Sequence, residues 1–188
     1  GLSIPNFIVI KKSDKKGIAH NFKYPIVVKP VDRGSSVGVS ICRDDDEFLS
    51  GLGEAFKYSD KVMVQEFING RELTCGVLED GYGKIIALPP TEIIPKKGKF
   101  FDYKSKYESG GSEEITPPNL PADVIKLIQN TAVKVHKILG ASGVTRIDMM
   151  LESSMIDDRS SKTSILDLRS SILLYILEIN TIPGMTET

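Results

Sequence analysis

Leu177-Glu178-Ile179-Asn180-Thr181-Ile182-Pro183-Gly184-Met185-Thr186 reads as a buried strand that ends in a turn. Side chains alternate along a strand, so Glu178 and Asn180 share one face while Leu177 and Ile179 take the other. A second stretch, Arg146-Ile147-Asp148-Met149-Met150-Leu151, is also strand-like and carries two polar residues on one face. Laid side by side, the two strands gather Asp148, Glu178, Asn180 and Arg146 in one patch. Two carboxylates and an amide oxygen suit a hard divalent cation such as Mg²⁺, which takes few protein ligands and completes its shell with water and phosphate. The same residues also fit a salt-bridged sheet face in which Arg146 neutralises the acids.

The sequence has 188 residues, room for one large domain or two small lobes. Hydrophobic residues make up 40% and charged residues 26%, the balance of a globular chain rather than a disordered one. A formal net charge of -1 gives no broad basic field, so nucleic acid is not an expected partner. No run approaches the ~18 apolar residues of a membrane span. Cys42 and Cys75 each sit in an apolar, strand-like run, which suggests buried free thiols in a reducing, cytoplasmic compartment. The opening Gly1-Leu2-Ser3-Ile4-Pro5 lacks the pattern of a signal peptide. Both ends fall in mid-pattern, and we expect a piece of a longer protein.

Working back along the chain, Tyr24-Pro25-Ile26-Val27-Val28-Lys29-Pro30 is a β-branched strand bounded by prolines. It leads into the small-residue loop Val31-Asp32-Arg33-Gly34-Ser35-Ser36, and an extended pattern resumes over Val37 to Cys42. Strand, loop, strand is a hairpin. A Walker loop is thereby excluded, since it opens a helix and has its lysine after the glycines. Gly34, Ser35 and Ser36 can still hold phosphate through backbone N–H groups and hydroxyls, with Lys29 as a point charge beside them. An ordinary glycine hairpin with an exposed lysine fits the same residues.

Ile4 to Ile10 reads as a further short strand. Asp44-Asp45-Asp46-Glu47 opens a helix, with Asp44 as its cap and Phe48, Leu52, Ala55 and Phe56 on one face. Lys61 to Ile68 is a strand, Asn69-Gly70 a tight turn, and Arg71 to Glu79 the returning strand. Lys84 to Leu88 and Thr91 to Ile94 continue an antiparallel meander. Residues 95–118 carry glycines around an aromatic, basic segment, the pattern of a functional lid. Leu120 to Leu139 is a helix with Gly140 as its C-terminal cap. Its apolar stripe is Val124, Leu127, Ile128, Ala132, Val135, Ile138 and Leu139, which leaves His136 on the surface. Neither His136 nor His20 receives a chemical role.

Five motifs in order carry a resemblance that covers nearly the whole chain. They are Val28-Lys29-Pro30 with Gly34-Ser35-Ser36-Val37-Gly38; Gln65-Glu66-Phe67-Ile68-Asn69-Gly70-Arg71-Glu72-Leu73-Thr74; Asp102-Tyr103 with Lys106-Tyr107; Arg146-Ile147-Asp148; and the opening stretch. The chain resembles the D-alanine–D-alanine ligases, a family of ATP-grasp enzymes. The resemblance implies an α+β fold with two lobes of antiparallel sheet and packed helices that clasp ATP. We expect a central ATP-binding lobe over 1–94 and a catalytic, metal-binding lobe over 95–188. It implies ATP-dependent joining of two D-alanines through an acyl phosphate, for cell-wall peptidoglycan. Lys29 would contact the ATP phosphates, with Gly34, Ser35 and Ser36 as the lid over them. Gln65 and Glu66, with the backbone of Phe67 and Ile68, would read adenine, and Glu72 the ribose. Lys106 would reach the phosphates, with Tyr107 closing the site. Asp148, Glu178 and Asn180 would hold two Mg²⁺ ions, with Mn²⁺ as a substitute. Arg146 and the Gly184 backbone would stabilise the tetrahedral oxyanion. ATP and D-alanine are the implied partners, and a homodimer is compatible with the resemblance.

Three departures stand out. Gln65 replaces the glutamate usual in the family. The metal strands are separated by more residues than a short hairpin needs, so 153–171 reads as an outward insertion. The family's N-terminal domain, and the serine that follows the Gly184 turn, lie outside the 188 residues. A different ATP-grasp carboxylate–amine ligase would share Lys29 and the metal strand but not the lid or the Gly184 turn. A non-catalytic nucleotide-binding module is the alternative from another class.

Overall fold

Ile26-Val27-Val28 is β-branched throughout, and it forms the heart of an antiparallel sheet. The computed structural model describes residues 1–14, 20–95, 112–152 and 173–183. The described residues form two units, one built on residues 5–68, the other on residues 1–4, 69–94, 114–152 and 173–183.

In the first unit, strands β1 (Phe7–Lys11), β2 (Ile26–Pro30) and β3 (Ser40–Cys42) precede helix α1 (Asp45–Ala55) and strand β4 (Lys61–Glu66). The four strands lie in the order β1-β4-β2-β3, all antiparallel. The expected hairpin is present, with Ile26 opposite Cys42, although its return strand begins at Ser40 rather than Val37. Asp44 caps α1 by accepting a 2.8 Å hydrogen bond from the Glu47 amide. The three acids that follow complement the helix dipole. Ile26, Val28, Val62 and Val64 then bury one sheet face against Phe48, Leu52 and Ala55 of α1.

The second unit holds β5 (Gly70–Glu79), β6 (Ile85–Ala87), β7 (Thr91–Pro95), β8 (Ser112–Ile115), α2 (Ala122–Ile138), β9 (Val144–Glu152) and β10 (Leu174–Asn180). Strand order is β10-β9-β5-β7-β8, with β6 paired to β5. One face packs Leu73, Cys75, Val77, Ile147, Met149 and Leu151 against Val124, Ile128, Ala132 and Val135 of α2. Gly140, at φ +61, follows α2 in the left-handed conformation that ends helices. Ser3 bridges to Tyr175, and the Ile176 amide donates to the Ser3 carbonyl at 2.9 Å.

Several expectations are corrected. Residues 70–94, assigned above to the first lobe, belong to the second sheet, since β5 pairs with β9 while β6 and β7 pair with β5. Asn69-Gly70 is therefore not a hairpin turn, because β4 and β5 lie in different sheets. Gly70 instead lets β5 approach β9 closely, since a Cβ there would collide with the Leu151 carbonyl. Within the expected lid, residues 112–115 form β8, while 96–111 fall outside the described residues. The face of α2 is rotated from the expected stripe. Leu127, Ile138 and Leu139 are exposed, and His136 is fully buried. The expected insertion also lies outside the described residues.

Candidate functional site

The second sheet has one face on α2 and one without the helix, and its polar residues collect on the latter. The β9 alternation puts Thr145, Ile147, Met149 and Leu151 inward and leaves Arg146, Asp148 and Met150 on the other face. In β5 the same phase leaves Glu72, Thr74 and Gly76 there. Pairing then sets Thr74 and Glu178 on either side of Asp148, Gly76 and Asn180 on either side of Arg146, and Glu72 beside Met150. The patch expected from two strands is thus assembled from three.

A register shift between Ile176 and Glu178 makes this possible. Leu174 and Ile176 pair opposite the inward Leu151 and Met149. A regular strand would continue that parity and send Glu178 and Asn180 inward too. The extra residue, Leu177, resets the phase and delivers both to the polar face.

Asp148 is the hub. Arg146 grips it with a two-pronged ion pair, Nε to Oδ1 and Nη2 to Oδ2, each 2.9 Å. The Thr74 hydroxyl donates to Oδ1 at 2.7 Å. The Asn180 amide nitrogen donates to Asp148 Oδ2 at 3.1 Å and to Glu178 Oε1 at 3.0 Å. One neutral NH₂ group therefore bridges two carboxylates. The acceptor atoms are oxygens, two on Asp148 and one on Glu178, and rotation of the Asn180 amide would add its own, so the donor set fits a hard divalent cation. Arg146 neutralises Asp148, as the ion-pair reading requires, and the same face groups the oxygens that the cation reading calls for. Thr74 closes the Gln65–Thr74 motif but received no role from it. Its signal was its place between Glu72 and Gly76 on the polar phase of β5.

The first sheet offers a second, mostly apolar patch with two polar members, Lys29 and Gln65. Its face away from α1 carries Val27 and Lys29 of β2, directly opposite Gln65 and Met63 of β4. Phe7 and Val9 of β1 extend that face on the far side of β4. Gln65 is 7% exposed, with Phe67 and Ile68 half-buried just past the strand. Glu66 points to the opposite face and accepts from Asn6, with the backbone amide at 2.8 Å and Nδ2 at 3.1 Å. In the loop after β2, Ser35 and Ser36 are both left-handed, at φ 55 and 58. Turn hydrogen bonds of 3.2 Å, Val37 amide to Gly34 carbonyl and Val39 amide to Ser36 carbonyl, hold them there. Left-handed backbone costs a residue with a side chain about 1–2 kcal/mol. Lys106, Tyr107 and Gly184 lie outside the described residues.

The family whose sequence pattern matches residues 1–156 is described as D-ala D-ala ligase C-terminus. The chain belongs to this ligase family. It is 39% identical to the D-alanine–D-alanine ligase of Syntrophotalea carbinolica over its whole length, covering 53% of that protein. It is 40% identical to the Sinorhizobium fredii ligase, again over its whole length and 55% of the relative. The chain thus spans about half the length of the curated ligases it matches. Among solved structures, the VanG D-Ala:D-Ser ligase of Enterococcus faecalis superposes with a TM-score of 0.77 at 33% identity. That match covers 98% of this chain and 49% of the other. The Bacillus anthracis D-alanine–D-alanine ligase complexed with ATP gives 0.69 at 25% identity, covering 98% of this chain and 51% of that one. The α+β ligase fold expected from the motifs is the fold of these proteins.

Proposed function

We propose that this chain is the nucleotide- and cation-binding part of a cytoplasmic D-alanine–D-alanine ligase that supplies the dipeptide for peptidoglycan. The observation that carries the reading is the register of β5, β9 and β10. It brings Asp148, Glu178, Asn180 and Arg146 to one sheet face in a chain of this family. In the reaction, a carboxylate oxygen of the first D-alanine attacks the γ-phosphorus of ATP, and ADP leaves. The amine of the second D-alanine then attacks the acyl phosphate, loses a proton and expels inorganic phosphate.

Phosphoryl transfer needs positioning and charge neutralisation more than covalent help. Lys29 supplies a point charge to the phosphates, and the strained Ser35-Ser36 turn presents backbone donors and hydroxyls beside it. Gln65 accepts from the adenine amino group. The Glu66 carboxylate is engaged by Asn6, so Glu66 serves adenine through its backbone, as do Phe67 and Ile68. Glu72 accepts from the ribose hydroxyls. Asp148, Glu178 and Asn180 would hold Mg²⁺ or Mn²⁺, which neutralises the phosphate oxygens. Arg146, oriented by Asp148, stabilises the oxyanion together with the Gly184 backbone. Lys106 and Tyr107 complete phosphate contact and closure.

The test is phosphate release from ATP by the whole protein that carries this chain. Release that requires D-alanine, with D-alanyl-D-alanine as product, is the expected result. Hydrolysis indifferent to D-alanine would overturn the reading. Preference for D-serine as second substrate, prompted by the likeness to a D-Ala:D-Ser ligase, would correct its specificity.

A further inference from the structure

Asp148 accepts four hydrogen bonds: Thr74 and Arg146 Nε on Oδ1, Arg146 Nη2 and Asn180 on Oδ2. A carboxylate offers about four lone-pair positions, so these donors saturate it. The three side chains differ in what they can do when a cation arrives. Arginine has no acceptor atom and cannot become a ligand. The Asn180 amide can rotate, exchanging its nitrogen for its oxygen. It thereby releases Asp148 Oδ2 and Glu178 Oε1 together. Thr74 stands on the strand opposite β10, its hydroxyl on the other carboxylate oxygen. An ionised carboxylate only accepts, so that hydroxyl must donate.

We propose that Thr74 is a positioning residue of the cation site. It fixes the carboxylate plane of Asp148 so that Oδ2 faces the position now filled by the Asn180 amide. This rests on the reading of Asp148, Glu178 and Asn180 as cation ligands. Arg146 holds both oxygens from the same strand, and the Thr74 bond adds an anchor on Oδ1 from the neighbouring strand, so the carboxylate is fixed from two strands at once. Ligating carboxylates are held in this way by donors outside the coordination shell, and losing such a donor typically weakens metal affinity about 10–100-fold.

The experiment titrates ADP into the full-length protein by calorimetry at increasing Mg²⁺, and reads the Mg²⁺ concentration that half-restores binding. Thr74→Val keeps the β-branched shape and deletes the donor; it is expected to raise that concentration by about 10-fold or more. Thr74→Ser keeps the donor and is expected to stay within about twofold of the parent. A Thr74→Val protein with the parent's Mg²⁺ dependence overturns the role of Thr74. So does a Thr74→Ser protein weakened by about 10-fold, a result that decides the matter even if the valine variant does not fold. Asp148→Asn separates the two layers. If it retains the parent's Mg²⁺ dependence, the cation reading itself fails; if it loses that dependence while Thr74→Val does not, only the positioning role fails.

Discussion

Glu178 and His136 show how differently two polar side chains can be used in one unit. Glu178 is exposed on the polar face, where the Asn180 amide meets its Oε1. On the proposed reading, Glu178→Gln should leave the thermal transition in place and abolish ligase turnover in the full-length protein, because a neutral amide cannot bridge two cations. Near-normal turnover would refute its role as a ligand. His136 is fully buried, with Nδ1 2.9 Å from the Thr145 hydroxyl and Nε2 3.8 Å from Glu79 Oε2. Thr145→Val strands a buried imidazole nitrogen and should cost about 1–3 kcal/mol in a denaturant titration, with no effect on Mg²⁺-dependent ADP binding. The burial of His136 was not legible because helical spacing fixes relative positions on a cylinder, not which arc meets the sheet. The partner that draws His136 inward is Thr145 on β9. By contrast, Asp148, Glu178 and Asn180 were legible as neighbours, since two polar residues at alternate positions on each of two strands leave little choice of face.

Among the elements, the β9–β10 pair carries the most information. Its ladder runs to the Glu152 amide, which donates to the Leu173 carbonyl at 3.1 Å, so residues 152 and 173 stand one hydrogen bond apart. Replacing 153–172 by a short turn should therefore preserve folding and Mg²⁺-dependent ADP binding. Loss of a cooperative transition in that variant would show that the deleted residues support the sheet. At α1, Asp44→Ala removes the cap on the Glu47 amide and should lower stability by about 1 kcal/mol in a denaturant titration. That cap was readable from three acids in a first turn. The irregularity at Leu177 was readable in principle and missed. Leu174, Ile176, Glu178 and Asn180 all share one parity, and a strand cannot bury the first two and expose the last two without an extra residue. The Asn69-Gly70 turn failed for a different reason. Local turn chemistry does not say which sheet the next strand joins.

Over the whole chain, each sheet closes a core of its own, and each core holds one free cysteine. Burial pushes the Cys75 thiol up to about 12, and burial with nearby Glu47 and Asp44 pushes Cys42 to about 11. Burial and the hydrogen bond to Asp45 likewise raise Tyr24 to about 12. All three protons are held more tightly in the fold than in the unfolded chain. Their contribution to stability is therefore complete below the unfolded values of 9.0 for the thiols and 10.0 for Tyr24, and is lost as pH climbs through the folded ones. The unfolding midpoint should fall steadily between about pH 9 and 12, and Cys75→Ala should flatten part of that decline. At pH 8 a thiol reagent should label neither cysteine until denaturant is added. The buried thiols and the two-unit plan were legible from apolar runs around each cysteine and from the motif order. The partition was not, since the sheet that owns residues 70–94 is decided by long-range pairing with β9.

The bridge from Ser3 to Tyr175 joins the chain's opening to the strand that presents Glu178. Residues 5–68 are thus a detour leaving and re-entering one body, and their removal would not orphan the first four. Displacing residues 1–4 would strip the outer flank of that strand, so on the proposed reading damage remote in sequence would surface as weakened Mg²⁺ capture.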